Sequence, residues 1–259
     1  MMLHSTQQGT GKPILFLHGM AASMNYWNPY LSLLSDNHKV IAVDLLGFGH
    51  SPQSKSGYSV QAHCQAIKDT LDSLNINEPI TIVGHSMGAL LALQYSINYP
   101  DSVSKLVLLS MPIYKNPAEA KLSITKSKKI ITYAYYGPTS HIFCTTWCYL
   151  LRPLSKRLAH LYLPLLPRQV ARDSVLHSWR SYSESLHNLI EIQSVESDLA
   201  KLKLPITIIY GDDEDKTVLR NMQPLKLLGK NVKIHVINGS HNVPLEQAEI
   251  ISELISRKT

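Results

Sequence analysis

The sequence predicts an α/β fold in which helices cover a largely parallel sheet. Short apolar runs alternate along the chain with segments of helical periodicity, which is typical of consecutive βαβ units. Most of the runs are continuously apolar, as expected for strands that are buried on both faces. Strands are predicted at 13–17, 40–43, 80–83, 106–109, 206–210 and 232–237, with a short one near 3–7. Helices are predicted at about 27–35, 59–74, 87–98, 217–228 and 245–256.

A long insertion interrupts this alternation between Ser110 and Leu204. It contains helical-looking pieces and more than half of the aromatic residues of the chain. Such a length is too great for a plain loop. We therefore expect a core made of residues 1–112 and 203–259, with residues 113–202 forming a helical cap over the carboxyl edge of the sheet.

The composition favours one large domain with a substantial core, because the chain has 259 residues and 44% of them are hydrophobic. The net charge of +6 comes mainly from residues 113–200, which hold eleven Lys/Arg and six Asp/Glu. These charges are scattered, and no nucleic-acid-binding module surrounds them. We therefore expect a solvated helical surface and no nucleic-acid partner.

The sequence carries neither a recognisable targeting segment nor a metal-binding motif. It begins without a basic and apolar leader, and no apolar run reaches the ~18 residues of a membrane-spanning helix, so we expect a cytoplasmic protein. The three cysteines, Cys64, Cys144 and Cys148, fit a reducing compartment. Cys144 and Cys148 lie four residues apart, but a metal site needs further ligands nearby. The sequence therefore predicts buried thiols, with no metal and no cofactor.

The clearest catalytic motif is Gly84-His85-Ser86-Met87-Gly88. It follows the apolar run at 80–83 and opens a predicted helix, which is the context of a nucleophile elbow. The two glycines leave room for the strand and the helix to approach each other at a tight turn. A hydroxyl placed there lies at a helix N-terminus, whose free N–H groups stabilise negative charge. We therefore expect Ser86 to be a nucleophile rather than a helix cap.

An oxyanion hole is predicted from the backbone N–H groups of Met20 and Met87. The strand at 13–17 runs into His18-Gly19, which is the usual position of one donor, and the residue after the nucleophile supplies the other. Because main-chain groups do this work, apolar side chains are acceptable at both positions. His18 itself is predicted to be structural.

His241 is the predicted general base among the 12 histidines. It lies in a loop of small residues after the last predicted strand, shortly before Pro244 at the start of the final helix. His235 lies within the strand, and His85 directly precedes the nucleophile, so that its side chain points elsewhere. The chain order of nucleophile, acid and histidine agrees with this assignment.

The acid of the triad is expected in the run Asp212-Asp213-Glu214-Asp215, which follows the strand at 206–210. One carboxylate must point inward to hold the imidazole tautomer and to stabilise the imidazolium. Counting forward from the glycine after the strand favours Glu214, and counting back from the next apolar helix residue favours Asp215. We expect Asp215 to be the acid, with Glu214 and Asp213 as the alternatives.

Together these motifs resemble those of the α/β-hydrolase superfamily, in its branch of small esterases, carbon–carbon bond hydrolases and cofactor-free haloperoxidases. The family's D-x-x-G-x-G-x-S loop is similar to DLLGFGHS at 44–51. The resemblance covers nearly all of the chain outside 113–200. It implies a doubly wound, eight-stranded sheet with a helical cap inserted after the sixth strand.

The resemblance also implies a serine hydrolase that cleaves a carboxylic ester or a related carbonyl substrate through an acyl-enzyme on Ser86. Dehalogenases and epoxide hydrolases of this fold are excluded, because they use an aspartate at that position. One alternative is a C–C bond hydrolase of a diketone-like substrate with the same triad, although such enzymes usually carry a tryptophan where this chain has Asn242. Another is a ligand-binding receptor on a hydrolase scaffold.

The insertion begins with a basic, amphipathic segment at 121–131 that leads into aromatic residues at 133–136 and 141–151. One interpretation is a cap helix that keeps its lysines in water and its apolar side over Ser86, which predicts an apolar, uncharged substrate. The other interpretation is a cap that contacts an anionic membrane surface.

Overall fold

The computed structural model describes residues 1–127, 136 and 139–257, and the strands within them form a seven-stranded sheet. The strands are β1 (Ser5–Gln8), β2 (Lys12–Leu17), β3 (His38–Val43), β4 (Ile80–His85), β5 (Val103–Leu109), β6 (Ile206–Gly211) and β7 (Val232–Ile237). They are ordered β1-β3-β2-β4-β5-β6-β7, with β1 antiparallel to β3 and the other neighbours parallel. The predicted mostly parallel α/β sheet is confirmed.

Helices flank the sheet close to the predicted positions. In the first half of the chain they are α1 (Asn28–Leu34), α2 (Val60–Ser73) and α3 (Met87–Asn98). Between β5 and β6 lie α4 (Pro117–Ser127), α5 (Ser140–Cys144), α6 (Arg152–Tyr162), α7 (Arg168–Asp173), α8 (Trp179–Ser185) and α9 (Val195–Ala200), with π-helical segments at Thr145–Leu150 and Leu186–Glu191. The chain ends with α10 (Lys216–Met222), α11 (Val243–Glu246) and α12 (Ala248–Ser256).

The inner strands β2, β4, β5 and β6 are almost entirely buried, which explains why they read as continuous apolar runs. In β2, Leu15 and Leu17 face one hydrophobic cluster, and Ile14 and Phe16 face the other. On the second face the ring of Phe16 lies 4.9 Å from that of the buried Trp27. The two clusters together fix the positions of the strand ends, where the candidate site lies.

The described sheet differs in one respect from the one that the family resemblance implies. It has seven strands rather than eight, and the helical insertion follows β5, the fifth strand in chain order. The reason is that β1 is already the antiparallel edge strand beside β3, so that among the described residues no strand precedes it.

The helical insertion, which we define as residues 113–202, contacts the core at several places. Helix α9 and the π-helical segment Leu186–Glu191 both pack against α3. His177 forms an isolated antiparallel bridge with Phe48, a residue of the loop after β3. The end of the basic segment predicted at 121–131, and most of the aromatic stretch at 133–136, lie outside the described residues. No helix within the described ranges is long and apolar enough to cross a bilayer.

Candidate active site

Ser86 lies in a strained turn between β4 and α3. Its backbone has φ 53° and ψ −119°, a conformation that costs a non-glycine residue on the order of 1–3 kcal/mol. The Ser86 N–H donates to the Leu109 carbonyl at 2.9 Å, which ties the turn to β5. Met87 is the first residue of α3, where a backbone N–H has no partner within the helix. Strand, turn and helix are thus arranged as a nucleophile elbow.

The elbow packs tightly against the loop that follows β2. A Cβ added to Gly88 would lie 2.2 Å from the Leu17 carbonyl oxygen and 2.5 Å from that of His18. A Cβ added to Gly19 would lie 3.2 Å from the Cβ of Ser86. Because two of the facing atoms are backbone oxygens, a side chain at residue 88 would displace the loop from Ser86.

His18 orients the peptide that carries the predicted oxyanion donor. The Leu45 N–H donates to His18 Nε2 at 2.9 Å, so that Nδ1 carries the ring proton of the neutral imidazole. His18 Nδ1 in turn donates to the Gly19 carbonyl at 2.7 Å. That carbonyl belongs to the same peptide unit as the Met20 N–H. Burial lowers the pKa of His18 in spite of the nearby Asp44 charge, which favours this neutral form.

His241 lies in the turn after β7, and several contacts hold its backbone. Gly239 has φ 147°, and a Cβ on Gly211 would lie 2.1 Å from the Gly239 carbonyl oxygen, so the turn abuts the end of β6. His85 Nε2 donates to the His241 carbonyl at 2.9 Å, and the His85 ring stacks on Tyr26. The side chain next to the nucleophile therefore supports the predicted base, a role that the sequence did not indicate.

The structure places Glu214, and not Asp215, against His241. Glu214 Oε2 and Oε1 lie 2.9 and 3.0 Å from His241 Nδ1, and only 4% of the Glu214 side chain is exposed. Asp215 is the N-cap of α10, where its carboxylate accepts the N–H groups of Thr217 and Val218. The geometry therefore favours Glu214, one of the alternatives, over the predicted Asp215, whose carboxylate is used at the helix terminus. The alternative Asp213 is exposed.

The environment of Glu214 favours the ionised carboxylate. Burial alone would raise its pKa, but the hydrogen bond and charge of His241, together with the Asp215 N–H, outweigh burial and lower the pKa below the ordinary value. A lowered pKa in the folded state contributes stability above the unfolded-state pKa, and this contribution is lost as the pH falls through the folded-state value. Glu214 is thus charged at neutral pH, as a partner for an imidazolium must be.

Ser86 and His241 line one cavity of about 240 Å³. Its other walls include Met20, Tyr26 and Asn242, and the insertion contributes Leu166 and Val170. Among the described residues no hydrogen bond joins Ser86 Oγ to His241; such contacts are often long before substrate binds. A larger cavity of about 610 Å³ lies between Tyr114, Glu196 and Arg220, away from every predicted site residue. The smaller cavity, which Ser86 and His241 line, is therefore the candidate substrate site.

A buried carboxylate ties the insertion to the loop that carries Met20. Asp173, at the end of α7, accepts hydrogen bonds from Ser23 Oγ (2.7 Å), Asn25 Nδ2 (2.6 Å) and Gln169 Nε2 (3.0 Å). Asp173 is only 1% exposed. Helix α7 also carries Val170, so this network links the cavity wall to the loop that carries Met20. No local sequence pattern indicates this network, since the partners are about 150 residues apart.

The comparison with known proteins identifies a family. A model of the alpha/beta hydrolase fold matches residues 12–248. The probable lysophospholipase BODYGUARD 3 of Arabidopsis thaliana is 28% identical over 273 residues, covering 93% of this chain and 54% of that protein. The cis-3-alkyl-4-alkyloxetan-2-one decarboxylase of Shewanella oneidensis is 31% identical over 118 residues, covering 44% of this chain and 37% of that protein. The chain therefore spans little more than half of these relatives at most.

Solved structures share the fold over almost the whole chain. E-2-(acetamidomethylene)succinate hydrolase superposes with a TM-score of 0.75 at 19% identity, covering 98% of this chain and 93% of that one. The bromoperoxidase from Bacillus anthracis superposes with a TM-score of 0.74 at 22% identity, covering 97% and 92%. At such low identities these similarities show the fold and do not transfer an activity.

The Asp173 network leads to a first prediction. Asp173→Asn replaces one acceptor oxygen by an amide and removes the charge, so we expect the free energy of unfolding to fall by about 1–3 kcal/mol. Urea unfolding measures this loss, and hydrogen exchange at residues 20–25 should become faster. Asp36→Asn, at an exposed position, is the control. Equal stability of the two variants would contradict the role given to Asp173.

Proposed function

Since this chain belongs to the alpha/beta hydrolase family, we propose that it is a serine hydrolase that cleaves carboxylic esters through an acyl-enzyme on Ser86. One observation carries this proposal: the strained Ser86 shares a cavity with His241, whose Nδ1 is hydrogen-bonded to the buried Glu214. Nucleophile, base and acid thus follow one another in the order typical of this fold. A pure binding protein would not need a buried carboxylate behind the histidine.

In the proposed mechanism Ser86 Oγ attacks the ester carbonyl, and His241 Nε2 accepts the hydroxyl proton. Glu214 holds the proton on Nδ1 and stabilises the imidazolium. The N–H groups of Met20 and Met87 would stabilise the oxyanion, each worth on the order of 2.7–4 kcal/mol of the barrier. His241 then returns the proton to the leaving alcohol, and water attacks the acyl-enzyme in a second, equivalent half-reaction.

The substrate class follows from the lining of the cavity. Leu166, Val170 and Met20 give it an apolar wall, and among the described residues that line it the histidines are the only ionisable side chains besides Tyr26. Its volume of about 240 Å³ lies below the usual range for drug-sized ligands, which favours a short acyl group. The name of one relative, the probable lysophospholipase BODYGUARD 3, supports ester hydrolysis. In this proposal residues 113–202 act as a cap on the core.

The function is tested with a fluorophosphonate probe and short-chain p-nitrophenyl esters. Wild-type protein should be labelled and should hydrolyse p-nitrophenyl butyrate, whereas Ser86→Ala should show neither reaction while remaining folded. Ser104→Ala, at an exposed position of β5, is a serine control that should still be labelled. Full labelling of the Ser86→Ala protein would overturn the assignment of the nucleophile.

A second prediction separates the two candidate acids. Glu214→Gln removes the charge beside His241, so kcat should fall on the order of 10⁴-fold, as for other triad acids. Asp215→Asn should keep most of the activity, because asparagine caps a helix about as well as aspartate. Steady-state kinetics on p-nitrophenyl butyrate measures both variants. A larger loss from Asp215→Asn would restore Asp215 as the acid.

A third prediction concerns the acyl pocket. Leu166→Ala should enlarge the cavity and shift the optimum of kcat/KM towards longer acyl chains, because Leu166 forms part of its wall. Leu165→Ala is the matched control, since Leu165 is 91% exposed and lies outside the cavity. Esters with a charged acyl group should react more slowly by about tenfold or more, because a carboxylate would lose its hydration in the pocket. Faster turnover of charged acyl esters would contradict an apolar pocket.

A further inference from the structure

A cluster of two thiols and one imidazole lies inside the helical insertion, away from the candidate active site. The ligand atoms of Cys144, Cys148 and His177 all lie within 4.8 Å of one another, and the three residues are buried. Cys144 Sγ is 3.7 Å from His177 Nε2. A metal ion bound at ordinary Zn–S and Zn–N lengths would hold such atoms about 3.6 Å apart. From this geometry we propose that Cys144, Cys148 and His177 bind one Zn²⁺ ion.

The backbone around the cluster holds these three residues together. Cys144 ends α5, and Cys148 lies in the π-helical segment Thr145–Leu150, a local irregularity that often marks a functional site. Arg152 donates to the carbonyls of both Cys148 (2.6 Å) and His177 (3.2 Å). The guanidinium of Arg152 therefore joins, through hydrogen bonds, the two chain segments that carry the proposed ligands, without any ion.

Zinc suits this donor set chemically. Two thiolates and an imidazole are ligands that Zn²⁺ prefers, and three protein ligands leave its fourth position for a small exogenous ligand. Two thiolates also neutralise the dication, so that a buried site carries no net charge. The thiols release their protons when the ion binds, so the apparent affinity should rise with pH.

The proposed ion would stabilise the fold of the helical insertion. Cys144, Cys148 and Val175 form a small hydrophobic cluster of their own, separate from the two large ones at the sheet. So small a core contributes little stability, which is where proteins use a metal ion or a disulfide. His177 also pairs with Phe48 of the core. The ion would thereby tie α5 to a segment that is itself fixed on the hydrolase core.

The site is tested by metal content and by cobalt spectroscopy rather than by activity. Protein purified from zinc-supplemented cells should retain about one Zn²⁺ per chain, and replacement by Co²⁺ should give a sulfur-to-cobalt charge-transfer band. Cys144→Ser and His177→Gln should lose the metal and the band. Cys64→Ser, which removes a buried thiol elsewhere, should keep both.

The measurements of zinc content and of the cobalt spectrum on the wild-type protein keep this test valid even if a variant does not fold. Absence of zinc together with absence of a charge-transfer band in the wild-type protein would overturn the proposal. A charge-transfer band that persists in folded Cys144→Ser protein would also overturn the proposal. Binding of Cu⁺ under anaerobic conditions, without binding of Zn²⁺ or Co²⁺, would overturn the assignment to zinc. None of these outcomes depends on the proposed esterase activity.

A second, independent feature is that helix α6 exposes leucine side chains to solvent. This helix buries its small residues Ser155 and Ala159 and exposes Leu154 and Leu161, with Leu151 just before it on the same side. The usual amphipathic helix shows the opposite pattern. We define the apolar face by its exposed large side chains, which are Ile142, Phe143, Tyr149, Leu150, Leu151, Leu154, Leu161, Tyr162 and Leu165. Such a concentration of exposed apolar side chains marks an interaction surface.

The charges around the apolar face favour an anionic partner. The described residues 139–172, which carry the apolar face, contain five Lys/Arg and no Asp/Glu. A second copy of the chain would bring two positive surfaces together, which is unfavourable. A bilayer with anionic lipid offers both an apolar interior and negative charge, and tyrosines settle at its interface. We propose that the apolar face binds anionic membrane surfaces.

Vesicle co-sedimentation tests the membrane proposal. Wild-type protein should sediment with phosphatidylserine-containing vesicles at low salt, less at high salt, and little with pure phosphatidylcholine. Leu154→Ser/Leu161→Ser should weaken binding by roughly tenfold or more, because two apolar side chains no longer enter the bilayer. Leu227→Ser/Ile250→Ser, at exposed positions away from the insertion, is the matched control. No sedimentation of wild-type protein, or a solution dimer abolished by Leu154→Ser/Leu161→Ser, would overturn the proposal.

Discussion

The close approach between the helix after Ser86 and the loop after β2 is the constraint on which the candidate site depends. Gly88 leaves the space that the carbonyls of Leu17 and His18 occupy, and Gly19 meets Ser86 from the other side. The strained backbone of Ser86 persists because the hydrogen bond to β5 and the packing of α3 determine it together. Ser86 and the loop that carries Met20 are therefore placed by backbone packing, whatever side chains surround them.

The sequence predicted the parts of the site that depend on local motifs. Ser86 and His241 were identified from turn glycines, flanking elements and chain order, and the structure brings them to one cavity. For the acid, the sequence favoured Asp215, whereas the structure places Glu214 against His241, because an N-cap and a histidine partner are both needed within one short acidic run. An aspartate directly before a helix is a preferred N-cap, and Asp215 serves that purpose. The preceding, longer Glu214 is left to reach the histidine, and the capping preference was the signal that could have shown it.

Other features of the site arise from contacts that are distant in sequence. The strand positions were predictable because strands buried on both faces are continuously apolar. Asp173 and His177, in contrast, have side-chain partners on separate elements, and no local sequence pattern predicts such contacts. The cysteine pair was visible as a spacing of four, but its histidine neighbour comes from a segment 29 residues further along. Long-range side-chain contacts of this kind require the folded structure.

The placement of the helical insertion has a consequence for chain entropy. Strands β5 and β6 are neighbours in the sheet although residues 113–202 separate them in sequence. The entropy lost on closing a loop grows by only about 0.6 kcal/mol for each doubling of its length. Exchanging these helices for a shorter or longer connection would therefore alter the closure entropy by only about 1 kcal/mol. The length of this connection is therefore nearly free to vary, and what an exchange would cost is the packing of α9 and Leu186–Glu191 against α3, the helix that follows Ser86.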